Sequence, residues 1–375
     1  MGLFVIAADA NPKAVGFQYA DKSVVANITD EDEMLHIAMQ EKIDGVIHPC
    51  SEVSMSVMGH INDKMCLCGI SRETAVRATN KHLMREAFER NGVPSPRSFL
   101  VNSVEEAWTT YKENLTGDGI LKPSRNSGSR GVSKVTPNIA FDSFAVLYKK
   151  ALSESRDHSV LLEQYVSGPE FSVEIIVWKG HIHILTVTDK LTTGEPHFVE
   201  LGHNQPSCYS DEIVKDVERV AYDGVKALGL NNCAAHAEIK VQDGVPYIME
   251  IGARLGGDFI STELTPSSTG IDMVAAAINV ALNIEPQLTP TEKKHAVCIR
   301  YFCPPSGKLK SINNTSILED NSVYQYEIYR KVGERIPELT SSLDRSGHVI
   351  ILADTPSAAI EKADKIINSV KFEIE

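Results

Sequence analysis

Short apolar runs alternate with an amphipathic segment over residues 1–79, and this alternation predicts a parallel α/β layer. The predicted strands are residues 3–8, 23–26 and 45–48, and Asp30 can cap a helix between the second and third. A nucleotide-binding α/β domain normally opens with a strand, a Gly-rich turn and a helix, and that set is not recognisable here. We therefore expect either an N-terminus that lacks about 30 residues, the size of one βαβ unit, or a reduced fold.

The periodicity changes several times beyond this layer. Residues 79–92 have the apolar spacing of a capped amphipathic helix, and residues 120–190 change to strands with tight turns. The further predicted elements are helices at 212–228 and 269–282, a hairpin at 234–251, strands at 296–302 and 348–352, and a final helix at 357–370. The predicted fold class is therefore mixed, α/β and α+β.

Composition restricts the partners of this chain. The apolar fraction of 42% and the charged fraction of 23% are ordinary for a globular protein. The 37 basic and 50 acidic residues give a net charge of −13, which disfavours a nucleic-acid partner but leaves room for one local nucleotide site. The apolar run at 3–8 is too short to span a bilayer, so we expect no membrane partner. Seven Cys without a CxxC motif favour a reduced, cytoplasmic setting.

A loop of small residues follows a strand that ends in lysine. Lys122 closes the strand, and Ser127, Gly128 and Ser129 lie in the loop after it. Small residues let backbone N–H groups approach phosphate oxygens, and the lysine adds a positive charge. The spacing does not match GxxxxGK(S/T), so this is not a P-loop NTPase. Taken alone, the loop fits a flexible surface hairpin equally well, and Glu170 fits the solvated face of a half-buried strand.

Two carboxylates in the predicted hairpin are more specific. Glu238 lies at an even position of the first strand, and Glu250 lies at an even position of the second, on the same face as Ile248. The carboxylates oppose each other only if the turn has an odd number of residues, which a three-residue turn at 242–244 provides. Opposed carboxylates repel unless a cation lies between them, and Mg²⁺ accepts one or two carboxylates plus phosphate oxygens. The flanking apolar residues make a solvent-facing pair the weaker alternative.

Arg254 and the glycines after it extend this predicted site. Gly256 and Gly257 follow Arg254 closely, so a cation and accessible backbone lie beside the carboxylate pair. The planar guanidinium matches a pair of phosphoryl or carboxylate oxygens better than a lysine does. The alternative is a structural ion pair at a strand end.

Together these residues resemble the ATP-grasp superfamily over nearly the whole chain. The combination is highly specific, although no single motif is. The markers are Thr79-Asn80-Lys81, Leu121-Lys122-Pro123 with its Ser/Gly loop, Glu163-Gln164-Tyr165-Val166, Glu170, Glu238, and EIGARLGG at 250–257. The resemblance implies a pre-ATP-grasp domain at 1–79, an ATP-grasp domain at 80–290 with a mobile lid over about 119–185, and a C-terminal α+β part at 291–375.

The resemblance also implies a role for each marker. The ATP phosphates would be contacted by Lys81, Lys122, Ser127, Gly128 and Ser129. Adenine would be read by the backbone of Glu163, Gln164, Tyr165 and Val166, and the ribose would be held by Glu170. Glu238 and Glu250 would hold Mg²⁺, with Mn²⁺ as a substitute, while Arg254 and Lys122 would stabilise the transferred phosphoryl group.

Within the superfamily, the chain is most similar to the carboxylate–amine ligases, which include the L-amino-acid ligases and the carbamoyl-phosphate-synthase-like branch. Residues 188–203 are similar to the substrate-side loop of these ligases, which implies substrate contacts by His203, Arg254, Gly256 and Gly257. Many members have Asn two residues after the second metal carboxylate, whereas this chain has Gly252.

The implied activity is the ATP- and Mg²⁺-dependent joining of a small carboxylate and a small amine through an acyl phosphate. Amino acids are candidate substrates, and a homodimer is compatible with the resemblance. Two alternatives stay open at this point. One is activation of bicarbonate, as in carbamoyl-phosphate synthases, and the other is a non-catalytic nucleotide-binding module. The presence of both glutamates and Arg254 argues against the second alternative.

Overall fold

The computed structural model describes residues 1–125, 130–290 and 294–375. The strands are β1 (Ile6–Asp9), β2 (Lys22–Val25), β3 (Ser98–Val101), β4 (Gly119–Pro123), β5 (Ser133–Val135), β6 (Val160–Gln164), β7 (Glu170–Trp178), β8 (His181–Thr192), β9 (Glu200–Gln205), β10 (Cys233–Gln242), β11 (Val245–Gly252), β12 (Ala296–Tyr301), β13 (Gly307–Asn313), β14 (Val323–Ile328), β15 (Arg335–Ile336), β16 (Gly347–Ala353) and β17 (Lys371–Ile374). The helices are α1 (Glu31–Glu41), α2 (Met55–Met65), α3 (Arg72–Thr79), α4 (Lys81–Arg90), α5 (Val104–Asn114), α6 (Phe141–Ser153), α7 (Asp211–Leu228), α8 (Thr265–Thr269), α9 (Met273–Ala281) and α10 (Pro356–Ser369).

The N-terminal layer contains a parallel pair of strands. β1 pairs with β2 so that Ile6 lies opposite Lys22. Asp30 caps α1, because its side chain accepts hydrogen bonds from the N–H groups of Asp32 and Glu33. The predicted parallel strands and the predicted cap are both confirmed.

The strand predicted at 45–48 is wrong. These residues form no strand, and Val46 packs against two apolar clusters, one of which contains Ile61 of α2. Gly45 approaches the end of α9 so closely that a Cβ there would lie 2.6 Å from the carbonyl oxygen of Ala281. The apolar character of this segment therefore serves side-chain packing against helices and a sheet face, not backbone pairing as a strand.

Two predicted helices begin later than the sequence pattern indicated. Asn80, not Thr79, caps α4, because the Asn80 side chain accepts hydrogen bonds from the first-turn N–H groups. Thr79 ends α3, a helix that the sequence analysis missed. The helix predicted at 269–282 begins at Met273, because Gly270 ends α8 in the left-handed region with φ +73°.

A four-stranded antiparallel sheet forms the first mixed lobe, with strand order β3-β6-β4-β5. α5 and α6 cover it through a core that includes Tyr111, Phe144 and Leu121. The prediction of strands alone between 120 and 190 is wrong for α6. The buried residues Phe144, Tyr148 and Ala151 of α6 recur at helical spacing, which is a signal that the sequence analysis did not use.

An eight-stranded antiparallel sheet forms the larger lobe, with strand order β11-β10-β7-β8-β9-β12-β16-β14. α4 and α7 pack on one face, where Phe88 and Val220 meet Ile175 of β7. α9 packs on the opposite face, where Met273 meets Ile176 of the same strand. Adjacent residues of β7 thus serve two different cores, as expected for a strand buried on both faces.

The C-terminal part completes this sheet. β12 pairs with β9, β16 pairs with β12, and β14 pairs with β16. Strands that precede residue 291 and strands that follow it therefore belong to one sheet. α10 covers β16 through Ala359, Ala363 and Ile366. The predicted strands near 296–302 and 348–352 and the predicted helix near 357–370 are confirmed.

The range predicted for the lid, 119–185, includes strands of both sheets. β4, β5 and β6 belong to the four-stranded sheet and α6 covers it, whereas β7 and the first part of β8 belong to the eight-stranded sheet. The domain limits and the mobility of the lid stay predictions. Among the residues that the structure describes, no helix has the length and apolarity needed to cross a membrane.

Candidate active site

The two sheets enclose a cleft that collects most of the residues predicted to bind ATP. A cavity of about 220 Å³, which we call the first cavity, lies between β4 and β6 of the smaller sheet and β10 and β11 of the larger one. The predicted site residues that line it are Lys81, Lys122, Glu163, Gln164, Tyr165, Val166, Glu170, Glu238, Glu250 and Arg254. Ser127, Gly128 and Ser129 fall outside the described residues.

Lys122 and Glu163 form a buried ion pair with a second cation. The Lys122 Nζ lies 2.5 Å from Glu163 Oε2, and the Arg85 Nε donates to Glu163 Oε1 at 2.9 Å. Burial lowers the pKa of Lys122 to about 8, although Glu163 opposes that effect. Burial alone would raise the pKa of Glu163, but Arg85 and Lys122 outweigh it and lower the pKa to about 2. The two cations therefore keep the Glu163 carboxylate ionised.

Lys81 and Glu250 form a second ion pair across the cleft. Lys81 is the first residue of α4, and its Nζ lies 2.8 Å from Glu250 Oε1 on β11. Burial alone would lower the pKa of Lys81, but Glu250 and Glu52 outweigh it and raise the pKa. The lysine is therefore held charged beside one of the predicted metal carboxylates.

The hairpin brings Glu238 and Glu250 together by a different route from the one predicted. The turn has two residues, Asp243 and Gly244, both with positive φ, so the predicted three-residue turn is wrong. An Asp-Gly pair with positive φ at both positions matches the twist of the two strands. A β-bulge at Met249 supplies the odd residue, and it places Glu238 directly opposite Glu250.

The same bulge moves Ile248 to the other face. Strand parity predicted Ile248 on the same face as Glu250, but Ile248 is buried in the core with Ile251. Both side chains point toward α7, because a Cβ at Gly224 would lie 2.3 Å from one and 2.7 Å from the other. The Met249 carbonyl accepts a hydrogen bond from Arg85 Nη2 at 2.7 Å, so the unpaired bulge residue does not leave its acceptor unsatisfied.

Glu238 and Glu170 share a buried lysine. Lys190 Nζ lies 2.8 Å from Glu170 Oε1 and 3.4 Å from Glu238 Oε1. Lys240 Nζ lies 3.5 Å from the second oxygen of Glu170. Lys190 is the main reason that the pKa of Glu238 lies well below its usual range. Glu238 is therefore charged, and each of the two predicted ligand carboxylates, Glu238 and Glu250, has a lysine neighbour.

Arg254 lies at the boundary between the first cavity and a second one. Its Nη2 lies 3.1 Å from Glu52 Oε1, and its Nη1 donates to the Leu255 carbonyl at 3.0 Å. A Cβ at Gly252 would lie 3.1 Å from Arg254 Cγ and Nε. Glycine at this position therefore leaves room for the Arg254 side chain.

The second cavity, of about 280 Å³, contains the predicted substrate residues His203, Arg254 and Gly257 in its lining. His203 is buried, and its Nε2 lies 3.5 Å from Asp258 Oδ2. Gly256 is not in this lining, but it packs against a buried pair formed by Glu174 and His236, and His236 does line the cavity. A Cβ at Gly256 would come within 2.8 Å of both of these side chains, so its substrate contact stays a prediction.

The two cavities share part of their lining. The residues common to both are Arg130, Lys190, Phe198, Glu200, Glu238 and Arg254. A molecule in the first cavity and a molecule in the second would therefore meet beside Arg254 and Glu238.

Several charged residues of the site were not predicted from the sequence. Arg85 follows Lys81 by one helical turn, so the shared helix face was an available signal. Lys190 lies opposite Glu170 in the β7–β8 ladder, which needs the register of the two strands. No local pattern relates Glu52 to Arg254 or Asp258 to Arg345, because these pairs are long-range contacts.

The carboxylates fit a magnesium site that the bound nucleotide would complete. Among the described residues, no group of three or more His, Cys, Asp or Glu side chains is placed to hold a metal ion. Glu238 and Glu250 are two opposed, half-buried carboxylates in the cleft. Mg²⁺ commonly takes one or two protein carboxylates, with phosphate and water oxygens as its other ligands.

Comparison with known families identifies the two main parts of the chain. Residues 117–263 match the ATP-grasp domain, and residues 300–375 match L-amino acid ligase C-terminal domain 2. Alanine–anticapsin ligase of Bacillus subtilis is 27% identical over 55% of this chain and 48% of its own length. Dapdiamide A synthase of Enterobacter agglomerans is 24% identical over 82% of this chain and 74% of its own length.

A solved structure gives the same result for the fold. The crystal structure of an L-amino acid ligase from Bacillus licheniformis matches with a TM-score of 0.80 at 20% identity, over 95% of this chain and 88% of that one. The fold is therefore the ATP-grasp fold, and the predicted fold class is confirmed. The protein is of the class of ATP-dependent ligases that form C–N bonds. More particularly, it combines an ATP-grasp domain with an L-amino acid ligase C-terminal domain, which confirms the resemblance found in the sequence.

Proposed function

We propose that this protein joins a small carboxylate to a small amine, with ATP as the energy source and an acyl phosphate as the intermediate. The observation that carries the proposal is the junction of the two cavities at Arg254 and Glu238. The first cavity would hold ATP and the second would hold the carboxylate and then the amine. Because amino acids are both carboxylates and amines, they are the first substrates to test.

The charges of the first cavity support its assignment to ATP. Lys81 reaches it from the start of α4, which packs on the larger sheet, and Lys122 reaches it from β4 of the smaller sheet; both lysines are buried. In the proposal they contact the phosphates, which would replace part of their present carboxylate partners. A phosphate group satisfies a buried ammonium as well as a carboxylate does, because both offer charged oxygen acceptors.

The far end of the first cavity supports an adenine site. Gln164, Tyr165 and Val166 follow β6 and line the cavity. The N–H of Gln164 donates to the Arg97 carbonyl and that of Tyr165 to the Asp118 carbonyl. The Val166 N–H has no hydrogen-bond partner within the described residues. In the proposal this N–H donates to the adenine ring, and Glu170 accepts hydrogen bonds from the ribose.

The proposed reaction has two chemical steps. A carboxylate oxygen attacks the γ-phosphorus of ATP, the bond to the β-phosphate oxygen breaks, and ADP leaves. The amine then attacks the acyl carbon, loses a proton, and inorganic phosphate leaves with the former carboxylate oxygen. Arg254 at the junction would neutralise the charge that develops on the transferred group. Mg²⁺, held by Glu238 and Glu250, would draw charge from the phosphate oxygens.

The domain division and the lid belong to the same proposal. We place the N-terminal domain at 1–79, the ATP-grasp domain at 80–290 and the C-terminal part at 291–375. The part of the predicted lid on the side of the smaller sheet comprises β4, β5, β6 and the covering helix α6, and residues of β4 and β6 line the first cavity. Its closure over ATP would exclude water from the acyl phosphate.

An ADP-release screen tests this function. The protein is incubated with ATP and Mg²⁺, and ADP is measured with single amino acids, pairs of amino acids and other small acids. We expect ADP and phosphate in equal amounts, dependent on an acid. Release with bicarbonate alone would favour the bicarbonate-activating alternative, and no release with any acid despite ATP binding would favour a non-catalytic module.

A further inference from the structure

The loop at 256–259 forms one wall of the second cavity in a strained conformation. Asp258 has φ +52° and Phe259 has φ +62°, so two successive residues other than glycine lie in the left-handed region. Residues with a Cβ rarely adopt this conformation, and it persists only where the surrounding contacts hold it. Gly257, Asp258 and Ile260 all line the second cavity, so these contacts also determine its shape.

Arg345, from the C-terminal part, supplies the principal contact. Its Nη1 donates to Asp258 Oδ2 at 2.8 Å and its Nη2 donates to Asp258 Oδ1 at 2.7 Å. The guanidinium carbon lies 3.6 Å from the centre of the Tyr301 ring, so the ring fixes the plane of the fork. A bidentate fork fixes the direction of a carboxylate, whereas an ammonium group acts as a point charge.

Arg345 also joins this loop to two other residues that line the second cavity. Its Nε donates to the Ser342 carbonyl at 2.7 Å, and the Ser342 Oγ donates to Glu200 Oε2 at 2.5 Å. Ser342 and Glu200 line the second cavity together with Asp258. Arg345 itself is not among the described residues that line either cavity. Its influence on a bound molecule must therefore pass through the groups that it holds.

We propose that Arg345 is a positioning residue for the second cavity. It holds Asp258, and through Asp258 the strained loop, at the distance from His203 that shapes the site for the non-nucleotide substrate. The inference rests on the proposed function for the identity of the occupant, but the restraint of the loop does not. The C-terminal part thereby contributes to substrate selection without contacting ATP.

Hydrogen exchange tests the restraint directly, without any turnover. The peptide that contains 256–264 is followed by mass spectrometry in the wild type and in Arg345→Met, Arg345→Lys and Arg335→Met. Arg335 is exposed on β15 in the same part of the chain and is the matched control. We expect exchange in this peptide to rise about tenfold or more in Arg345→Met and less in Arg345→Lys. If Arg345→Met does not fold, Arg345→Lys decides, and unchanged exchange would overturn the proposal.

Steady-state kinetics tests the consequence for the substrate. With an acid found by the ADP-release screen, we expect Arg345→Lys to raise the KM of that acid about tenfold or more, because a small displacement of the site is costly. The KM for ATP should change by less than about twofold. Equal changes in both KM values, or none, would contradict the positioning role. If the wild type turns over no acid, the proposed function fails, and the exchange measurement still decides the role of Arg345.

Discussion

ATP affinity should fall at alkaline pH, because a buried lysine of the first cavity loses its proton there. Burial lowers the pKa of Lys122 to about 8, so this side chain is charged below that pH and neutral above it. The protonated form attracts phosphate oxygens and the neutral form does not, so binding is linked to this proton. Lys81 has a raised pKa, since Glu250 and Glu52 outweigh the opposite effect of burial, and it stays charged over the same range.

The size of the effect follows from the pKa. When only the protonated form binds, the dissociation constant rises by the factor 1 + 10^(pH − pKa). For a pKa of about 8, this factor is about 1.3 at pH 7.5 and about 11 at pH 9. The dissociation constant for ATP should therefore rise about eightfold between the two pH values, which corresponds to about 1.3 kcal/mol.

Isothermal titration calorimetry with a non-hydrolysable ATP analogue measures this dependence at pH 7.5, 8.2 and 9. Lys122→Arg is the control, because arginine keeps its charge throughout this range. We expect a flat profile for the control and a rising dissociation constant for the wild type. A flat profile for the wild type, or an equal rise in Lys122→Arg, would refute the assignment of this proton to Lys122.

Four further predictions follow from the same geometry. Lys122→Ala should weaken ATP binding by about 2–4 kcal/mol, because it removes one member of a buried charged contact. An unchanged ATP affinity in calorimetry would refute this. Glu250→Gln should keep the fold by circular dichroism but abolish ADP release, whereas Glu73→Gln on an exposed surface should not; turnover like the wild type at limiting Mg²⁺ would contradict the metal role. Arg254→Lys should lower kcat much more than ATP affinity, because the fork acts where charge develops, and an equal loss in both would count against it. Phe88→Ala should cost about 3–5 kcal/mol of unfolding free energy in urea titration, since this ring is fully buried; a loss below about 1 kcal/mol would show that the core relaxes around it.

The sequence predicted the elements whose signals are local. Asp30 caps the start of α1 through hydrogen bonds to the N–H groups two and three residues further on. α7 ends at Gly229, which lies in the left-handed region. Each of these helix boundaries depends only on residues that are close in sequence. Most of the predicted ATP-binding residues line one cavity, and they were found because several short motifs together resemble one superfamily.

What the sequence could not predict depends on register and long-range contact. The convergence of Glu238 and Glu250 was predicted for the wrong reason. The predicted three-residue turn is absent, but the bulge at Met249 adds one residue to the hairpin and so has the same effect on which face each side chain occupies. An Asp-Gly pair favours a two-residue turn, and with such a turn the two carboxylates can oppose each other only if one strand contains a bulge.

The missed charges have a similar explanation. Glu52 meets Arg254 and Arg345 meets Asp258 across separations of more than 80 residues, so no spacing rule relates them. The strand expected at 45–48 was wrong because apolar residues also serve helix packing, and a short apolar run does not distinguish the two environments.

Trapping with hydroxylamine tests the central claim most directly. Hydroxylamine captures an acyl phosphate as a hydroxamate, so the intermediate can be detected without knowledge of the natural amine. With ATP, Mg²⁺ and an acid from the screen, we predict a hydroxamate that depends on ATP, forms with ADP and phosphate, and is reduced in Arg254→Lys. If an acid that the protein converts to an amide instead gives AMP and pyrophosphate, the substrate is adenylated and the acyl-phosphate mechanism is wrong.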